Sequence, residues 1–354
     1  MSHSIASATS PAMLRIARME EQEKLYELYK ETPIQRWNRN VSDLHDAVMR
    51  RAVMLCEEKM VQEGFGPPPA PYAFIAFGSA GREEQTLWSD QDNGLVIGDG
   101  EEEDQVRDYF QAFGDRLVQI LTEAGYPPCP GNVMVSNPIW RKCLKDWEKQ
   151  LWYWSGLRGW EQVRYLMIAA DMRYIAGSQE LAAKLSMAFA KVIDQGDEYG
   201  EDLSAAILRN TLRHKAALNV LGQLITEPVG DHAGDFDLKY GLYIPLVNAI
   251  RYLSLQYGIH ASSTWERILQ LHQLEAVPIR WLESCREAFD TAIKLRSISP
   301  IRRADGSLDG TNYLPQVVIK QKEVRSELRN ALGTVRLMYR TLQRQHRYAE
   351  RKWL

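Results

Sequence analysis

Several features that would place a chain quickly are scarce or missing here. There are four cysteines in 354 residues, Cys56, Cys129, Cys143 and Cys285, and no two form a CxxC pair. That spacing argues against a zinc site and suits thiols that stay reduced as small hydrophobes in a cytoplasmic protein. The seven histidines are scattered, and HExxH is absent. No run of about 18 apolar residues occurs, so neither a transmembrane helix nor a membrane partner is expected. Residues 1–12 are Ser/Ala-rich without a basic start and an apolar core, which reads as a disordered tip rather than a signal peptide. Charge of one sign is lacking too. At a net charge of -3 no global field draws nucleic acid or an anionic membrane, and nucleic acid is not expected as a partner. Local basic patches stay open.

What remains has the profile of a globular protein, with 45% hydrophobic and 25% charged residues and enough length for two or three domains. Three zones separate by pattern. Residues 1–66 read as a helical segment, because Leu44, Val48, Ala52, Cys56 and Met60 recur every four residues, with Ser42 as the expected N-cap. Gly64, Gly66 and the prolines from Pro67 end it. Residues 67–200 mix strands and helices. Tyr72 to Phe77 and Gly94 to Ile97 read as buried strands, 101–124 as a helix, 131–135 as a further strand and 140–160 as a helix, while 163–175 fits helix or strand. Residues 201–354 read as a helical bundle, with helices expected at 203–225, 238–257, 264–274, 278–295 and 321–352. The fold class expected is α+β, a mixed sheet flanked by helices followed by an all-α C-terminal domain.

The chemistry gathers between Gly78 and Asn93. A buried strand ends at Gly78, and the close pair Gly78 and Gly81 lets the backbone turn sharply and approach a ligand. Ser79 adds a hydroxyl beside exposed N–H groups, which suits a triphosphate, and Arg82 can offer a fork of donors to a phosphate. Asp90 and Asp92 follow at the entry to the second strand. Strand side chains at i and i+2 share a face, so two carboxylates project together, which is costly unless a cation lies between them. Magnesium, with oxygen ligands and phosphates completing its shell, is the natural cation. A glycine-serine turn alone is a common turn and a lone Asp-x-Asp is usually surface chemistry. Their combination between two apolar strands outlines a phosphoryl-transfer site.

At these residues the sequence resembles the nucleotidyltransferase superfamily, whose hallmark is Gly-Ser followed by Asp-x-Asp. More closely it resembles a nucleotidyltransferase family often attached to CBS and cyclic-nucleotide-binding domains, whose pattern runs Gly-Ser-x-Gly-Arg-x-Glu-Gln-Thr-Leu and then Asp-Gln-Asp-Asn. Gly78, Ser79, Gly81, Arg82, Glu84, Gln85, Thr86, Leu87 and Asp90 to Asn93 fit it, as do Asn137 to Arg141, Asp171 to Arg173 with Gly177, and Asp237-Leu238-Lys239. That family is similar to the N-terminal part of protein-PII uridylyltransferase, and its back half to a helical nucleotidyltransferase substrate-binding domain. Here N-terminal helices stand where the regulatory modules would be.

The resemblance implies that Asp90 and Asp92 bind magnesium or manganese and that Gly78 and Ser79 hold a nucleoside triphosphate, with Gly81, Arg82 and Lys239 as further candidate nucleotide-binding residues. It offers Asp171 as the third catalytic carboxylate. A structural ion pair of Asp171 with Arg173 or Arg164 is the plainer alternative. The activity implied is transfer of a nucleoside monophosphate to a protein or small-molecule acceptor, a PII-like protein by analogy, with pyrophosphate released. The alternative is a nucleotide-binding regulator without turnover. The base, the acceptor and a homo-oligomeric state stay open.

Three further patterns have plain readings. Asp237, Lys239 and Arg251 suit capping and surface pairs as well as a ligand. Arg336, Arg340, Arg344, Arg347 and Arg351 form a basic stripe that suits a solvated helix face. Trp140, Trp147 and Trp154 recur every seven residues and suit packing between domains.

Overall fold

Helices come first in the chain. In the computed structural model, which describes residues 3–98, 103–195, 203–214, 216–219, 222–298, 301–303 and 306–351, the chain starts with α1 (His3–Ala6), α2 (Pro11–Leu28) and α3 (Ile34–Gln62). Ser10 caps α2, its hydroxyl accepting from the Met13 N–H at 3.3 Å, with Pro11 in the first turn. α3 follows Pro33 and so starts well before Ser42, which lies buried in mid-helix rather than capping it. Proline sets the backbone just outside the helix and makes the earlier start possible. The four-residue stripe from Leu44 to Met60 is buried as expected.

A sheet is laid against these helices. Its elements are β1 (Tyr72–Ala76), a single turn α4 (Gly78–Gly81), β2 (Asn93–Ile97), α5 (Glu103–Glu123), β3 (Arg141–Cys143), α6 (Leu144–Leu157), α7 (Trp160–Ala169), β4 (Arg173–Gly177) and α8 (Gln179–Gln195). Strand order is β3-β2-β1-β4, with β1 antiparallel to β2 and β4, and β2 parallel to β3. β1 and β2 are buried on both faces, which explains their unbroken apolar runs. Tyr72, Phe74, Ala76, Leu95 and Ile97 join the core made with α2, α3 and α5. On the other face Phe77 meets Trp140 and Trp147 at ring separations of 5.0 and 6.4 Å.

The structure corrects some sequence expectations. Residues 131–135 run beside β2 without forming a strand, and the partner strand is β3. The tryptophan-rich helix starts at Leu144, after Trp140. Trp140, Trp147 and Trp154 do cluster, and the first two also meet Phe77 within the first unit. The ambiguous stretch 163–175 divides into the end of α7 and the start of β4.

By packing, the chain divides into two compact units. The first comprises Met1–Trp154, Ile168–Val192 and Arg302–Leu308, and the second Ser155–Met167, Ile193–Ile301 and Asp309–Leu354. The remaining elements are α9 (Leu203–Thr211), β5 (Phe236–Asp237), a π-helical turn (Lys239–Tyr243), α10 (Ile244–Gln256), α11 (Thr264–Gln273), α12 (Ile279–Ser297), β6 (Ile301–Arg302), β7 (Leu308–Asp309), β8 (Tyr313–Leu314), α13 (Gln316–Ile319) and α14 (Lys322–Arg351). α12 packs along α14, whose Leu328, Leu332, Val335, Met338 and Leu342 are buried. The helix expected at 203–225 ends at Thr211. The second unit is also not purely helical, since β5 and β8 pair. Among the described residues no helix is long and apolar enough to cross a membrane.

Candidate active site

The turn after β1 is built so that only glycine fits where the chain bends. The Phe77 N–H donates to the Asp92 carbonyl at 2.9 Å, which extends the β1–β2 pairing one residue past the strands. Gly78 then takes φ +54°, and α4 forms its single turn. A Cβ on Gly78 would collide with the Asp92 carboxylate oxygen Oδ2. Gly81 is equally confined, since its Cβ would strike the Asp171 carbonyl and lie 2.8 Å from the Ala76 carbonyl. The motif glycines therefore mark close approaches, and the first places a carboxylate directly against the bend.

The segment leading to the second strand alternates. Gln91 is buried, and its amide donates to the Val118 carbonyl, the Thr122 hydroxyl and the Tyr126 carbonyl at 3.2, 3.0 and 2.9 Å. Asp90 and Asp92 flank it and are half-buried, and a strand-like alternation here would set both on the side opposite Gln91. Cys129 adjoins Asp92. Burial pushes its thiol up to about 12, and the Asp92 charge and its hydrogen bond push the same way, so the S–H donates to the carboxylate.

Three side chains from α2 and α3 grip consecutive carbonyls ahead of the acids. Asn38 donates to the Gln85 carbonyl, His45 to that of Thr86 and Gln22 to that of Leu87. A carbonyl only accepts, so His45 carries its proton on Nε2, and its Nδ1 accepts from the Tyr126 hydroxyl at 2.7 Å. Burial, reinforced by nearby Arg18, lowers the imidazole pKa to about 4, so the ring is neutral near pH 7. Gln85 in turn donates to the Ser89 hydroxyl at 2.8 Å.

Arg82 and Asp171 take a different place from the one expected. Arg82 is 4% exposed and Asp171 1%. The guanidinium donates from Nε to Glu84 at 2.8 Å and from a terminal nitrogen to Asp171. With two buried carboxylates on it, Arg82 is engaged beneath the turn rather than held out to a phosphate. Asp171 pairs with Arg82, not with Arg173 or Arg164. Arg173 spans both oxygens of Asp46 at 2.7 Å and donates to the Ala80 carbonyl at 2.8 Å, so α3 and β4 hold α4 together. Gly78, Ser79, Gly81, Asp90 and Asp92 are thus gathered in the first unit. Lys239 belongs to the second, with its ammonium 5.6 Å from the Tyr240 ring centre.

The supporting polar residues Gln22, Asn38, His45 and Asp46 escaped the sequence reading. A signal existed for two of them. Asn38 and His45 fall on the helix stripe that continues through Ala52 and Cys56, and a polar side chain on an apolar stripe asks for a buried partner.

Residues 23–158 match a family described as "Putative nucleotidyltransferase DUF294", and residues 201–346 match its companion, "Putative nucleotidyltransferase substrate binding domain". The chain belongs to this nucleotidyltransferase family. The first match takes in the glycine turn, both acids and the α3 residues that brace them, and the second takes in Lys239. The observed mixed sheet with flanking helices and the largely helical second unit agree with that membership. No curated protein matches the chain.

Proposed function

We propose that the first unit binds a nucleoside triphosphate with a divalent cation and transfers its nucleoside monophosphate to an acceptor hydroxyl, releasing pyrophosphate. The observation that carries this reading is the Asp92 carboxylate seated against the Gly78 bend, with Asp90 two residues before it in the chain. Asp90 and Asp92 would hold magnesium or manganese, whose chemistry is to neutralise charge on the polyphosphate. Gly78, Ser79 and Gly81 offer close backbone and a hydroxyl to the phosphates. Arg82 and Asp171 serve as positioning residues beneath the turn. A PII-like protein is the acceptor suggested by resemblance. The free thiols of Cys56, Cys129, Cys143 and Cys285 suit a cytoplasmic setting.

One observation supports the second reading, a nucleotide sensor without turnover. Asp171, the candidate third carboxylate, is buried and paired with Arg82. Incubating the protein with each α-labelled triphosphate, magnesium and cell extract separates the two. Label transfer that disappears in Asp90→Asn and Asp92→Asn establishes the transferase. Magnesium-dependent binding without pyrophosphate release establishes the sensor, and binding of no triphosphate refutes both.

A further inference from the structure

Two half-exposed aromatic rings in the second unit are each met by cations, and neighbouring residues in the chain link them. Trp160, at the start of α7, is 49% exposed. The Arg213 guanidinium lies 4.4 Å from its ring centre and that of Arg164 5.8 Å. Tyr240, in the π-helical turn, is 48% exposed. The His214 ring stacks on it at 5.3 Å and an interplanar angle of 25°, and the Lys239 ammonium lies 5.6 Å from its centre. Arg213 and His214 are consecutive, just beyond the end of α9, so neighbouring residues of one basic strip of chain make the two ring contacts.

Nearby acids leave that strip positive. Glu161 accepts from the Tyr165 hydroxyl, and Asp237 accepts the Tyr240 N–H. Among the described residues no carboxylate pairs with Arg164, Arg213 or Lys239. Each ring is met by two basic side chains, and each of the two aromatic residues is still about half exposed. The local backbone is also set apart, because a π-helical turn leads into α10, and such turns are frequent at functional sites.

A mononucleotide would use one ring and one cation. The geometry points to a longer ligand: we infer that Trp160, Arg213, His214 and Tyr240 form a binding site for single-stranded nucleic acid, two bases stacking on the two rings and the phosphates between them meeting Arg213, with Arg164 and Lys239 at either side. Stacking on an aromatic face tolerates any base, and the cations follow the backbone. The site goes beyond the chemistry proposed for the first unit and requires neither triphosphate nor metal.

The test is fluorescence anisotropy of a labelled 12-nucleotide single-stranded oligouridylate with the full chain, in EDTA and without triphosphate, between 50 and 200 mM salt. Trp160→Ala and Tyr240→Ala are each expected to weaken binding about tenfold, while Trp160→Phe and Tyr240→Phe stay within about threefold of the parent. Arg213→Gln should lower the slope of log affinity against log salt by about 0.7, the value of one lost phosphate contact on a single strand. Asp90→Asn should bind as the parent does, which separates this site from the transferase reading. No binding of the oligouridylate, alanine variants that bind like the parent, or equal competition by a duplex or by polyglutamate would each overturn the assignment.

Discussion

Acidification is expected to loosen the first unit through one side chain, His45. Its imidazole is buried, with Nε2 donating to the Thr86 carbonyl and Nδ1 accepting from Tyr126. Protonation would turn that accepting nitrogen into a donor and put a charge where no water reaches. The folded chain therefore holds the group at about 4, against an ordinary 6.5. Because the folded value is the lower one, the unfolded chain binds the proton first. The contribution of a neutral His45 is fully present above about pH 6.5, is lost as pH falls from there towards about 4, and falls no further below that. Fully developed, the loss is about 3 kcal/mol, and at pH 4.5 about 2.5 kcal/mol, at about 1.4 kcal/mol for each tenfold step. Carboxylates titrate in the same range, so the measurement is a difference. Urea unfolding followed by tryptophan fluorescence at pH 7.5 and 4.5 is compared between the parent and His45→Gln, whose amide can still donate to Thr86. The parent should lose about 2.5 kcal/mol more than the variant. Equal losses in the two proteins would refute the claim that a buried neutral imidazole braces this segment.

Gly78→Ala forces a side chain into left-handed backbone and against Asp92, and it should cost about 1–2 kcal/mol of stability and at least about tenfold in triphosphate affinity, read by thermal melting and calorimetric titration. Arg82→Ala strands the buried carboxylates of Glu84 and Asp171, with an expected loss of about 3–5 kcal/mol visible as a lower unfolding midpoint in urea. Trp147→Ala opens a cavity behind the sheet and frees the Leu95 carbonyl that its indole N–H meets at 2.9 Å, so about 3–5 kcal/mol is expected in the same titration.

Elements whose period matched their burial could be read from sequence. β1 and β2 showed as apolar runs because they are covered on both faces, and α5 and α14 showed as stripes because each buries one side. The glycine turn and the acids were legible as a motif. The places of Arg82 and Asp171 were not, because a family pattern names a residue without saying whether it faces a ligand or a buried partner 89 residues away. For Asn38 and His45 the apolar stripe signals that a buried partner is needed, but the carbonyls of Gln85 and Thr86 leave no trace in side-chain identity, so which partner could not be read. The helix expected at 203–225 stops at Thr211, and Gly222 further on takes a left-handed φ of +72° that favours glycine. Of the arginine stripe on α14, Arg336 is half-buried and Arg340 and Arg344 are exposed, while the side chains of Arg347 and Arg351 lie outside the described residues.

The grip of α2 and α3 on three successive carbonyls sets an order of events as the polypeptide is made. Those bonds join residues 41, 47 and 65 positions apart, and in each the helix comes first. Asp171 and Arg173, which clasp Arg82 and the Ala80 carbonyl, emerge 89 and 93 positions after the groups they secure. During N-to-C synthesis the stretch just before Asp90 can therefore dock as soon as it appears, whereas the bend at Gly78 must wait for β4. A ribosome stalled before residue 171 would carry a chain with its acidic arm already braced and its phosphate cradle still unfastened.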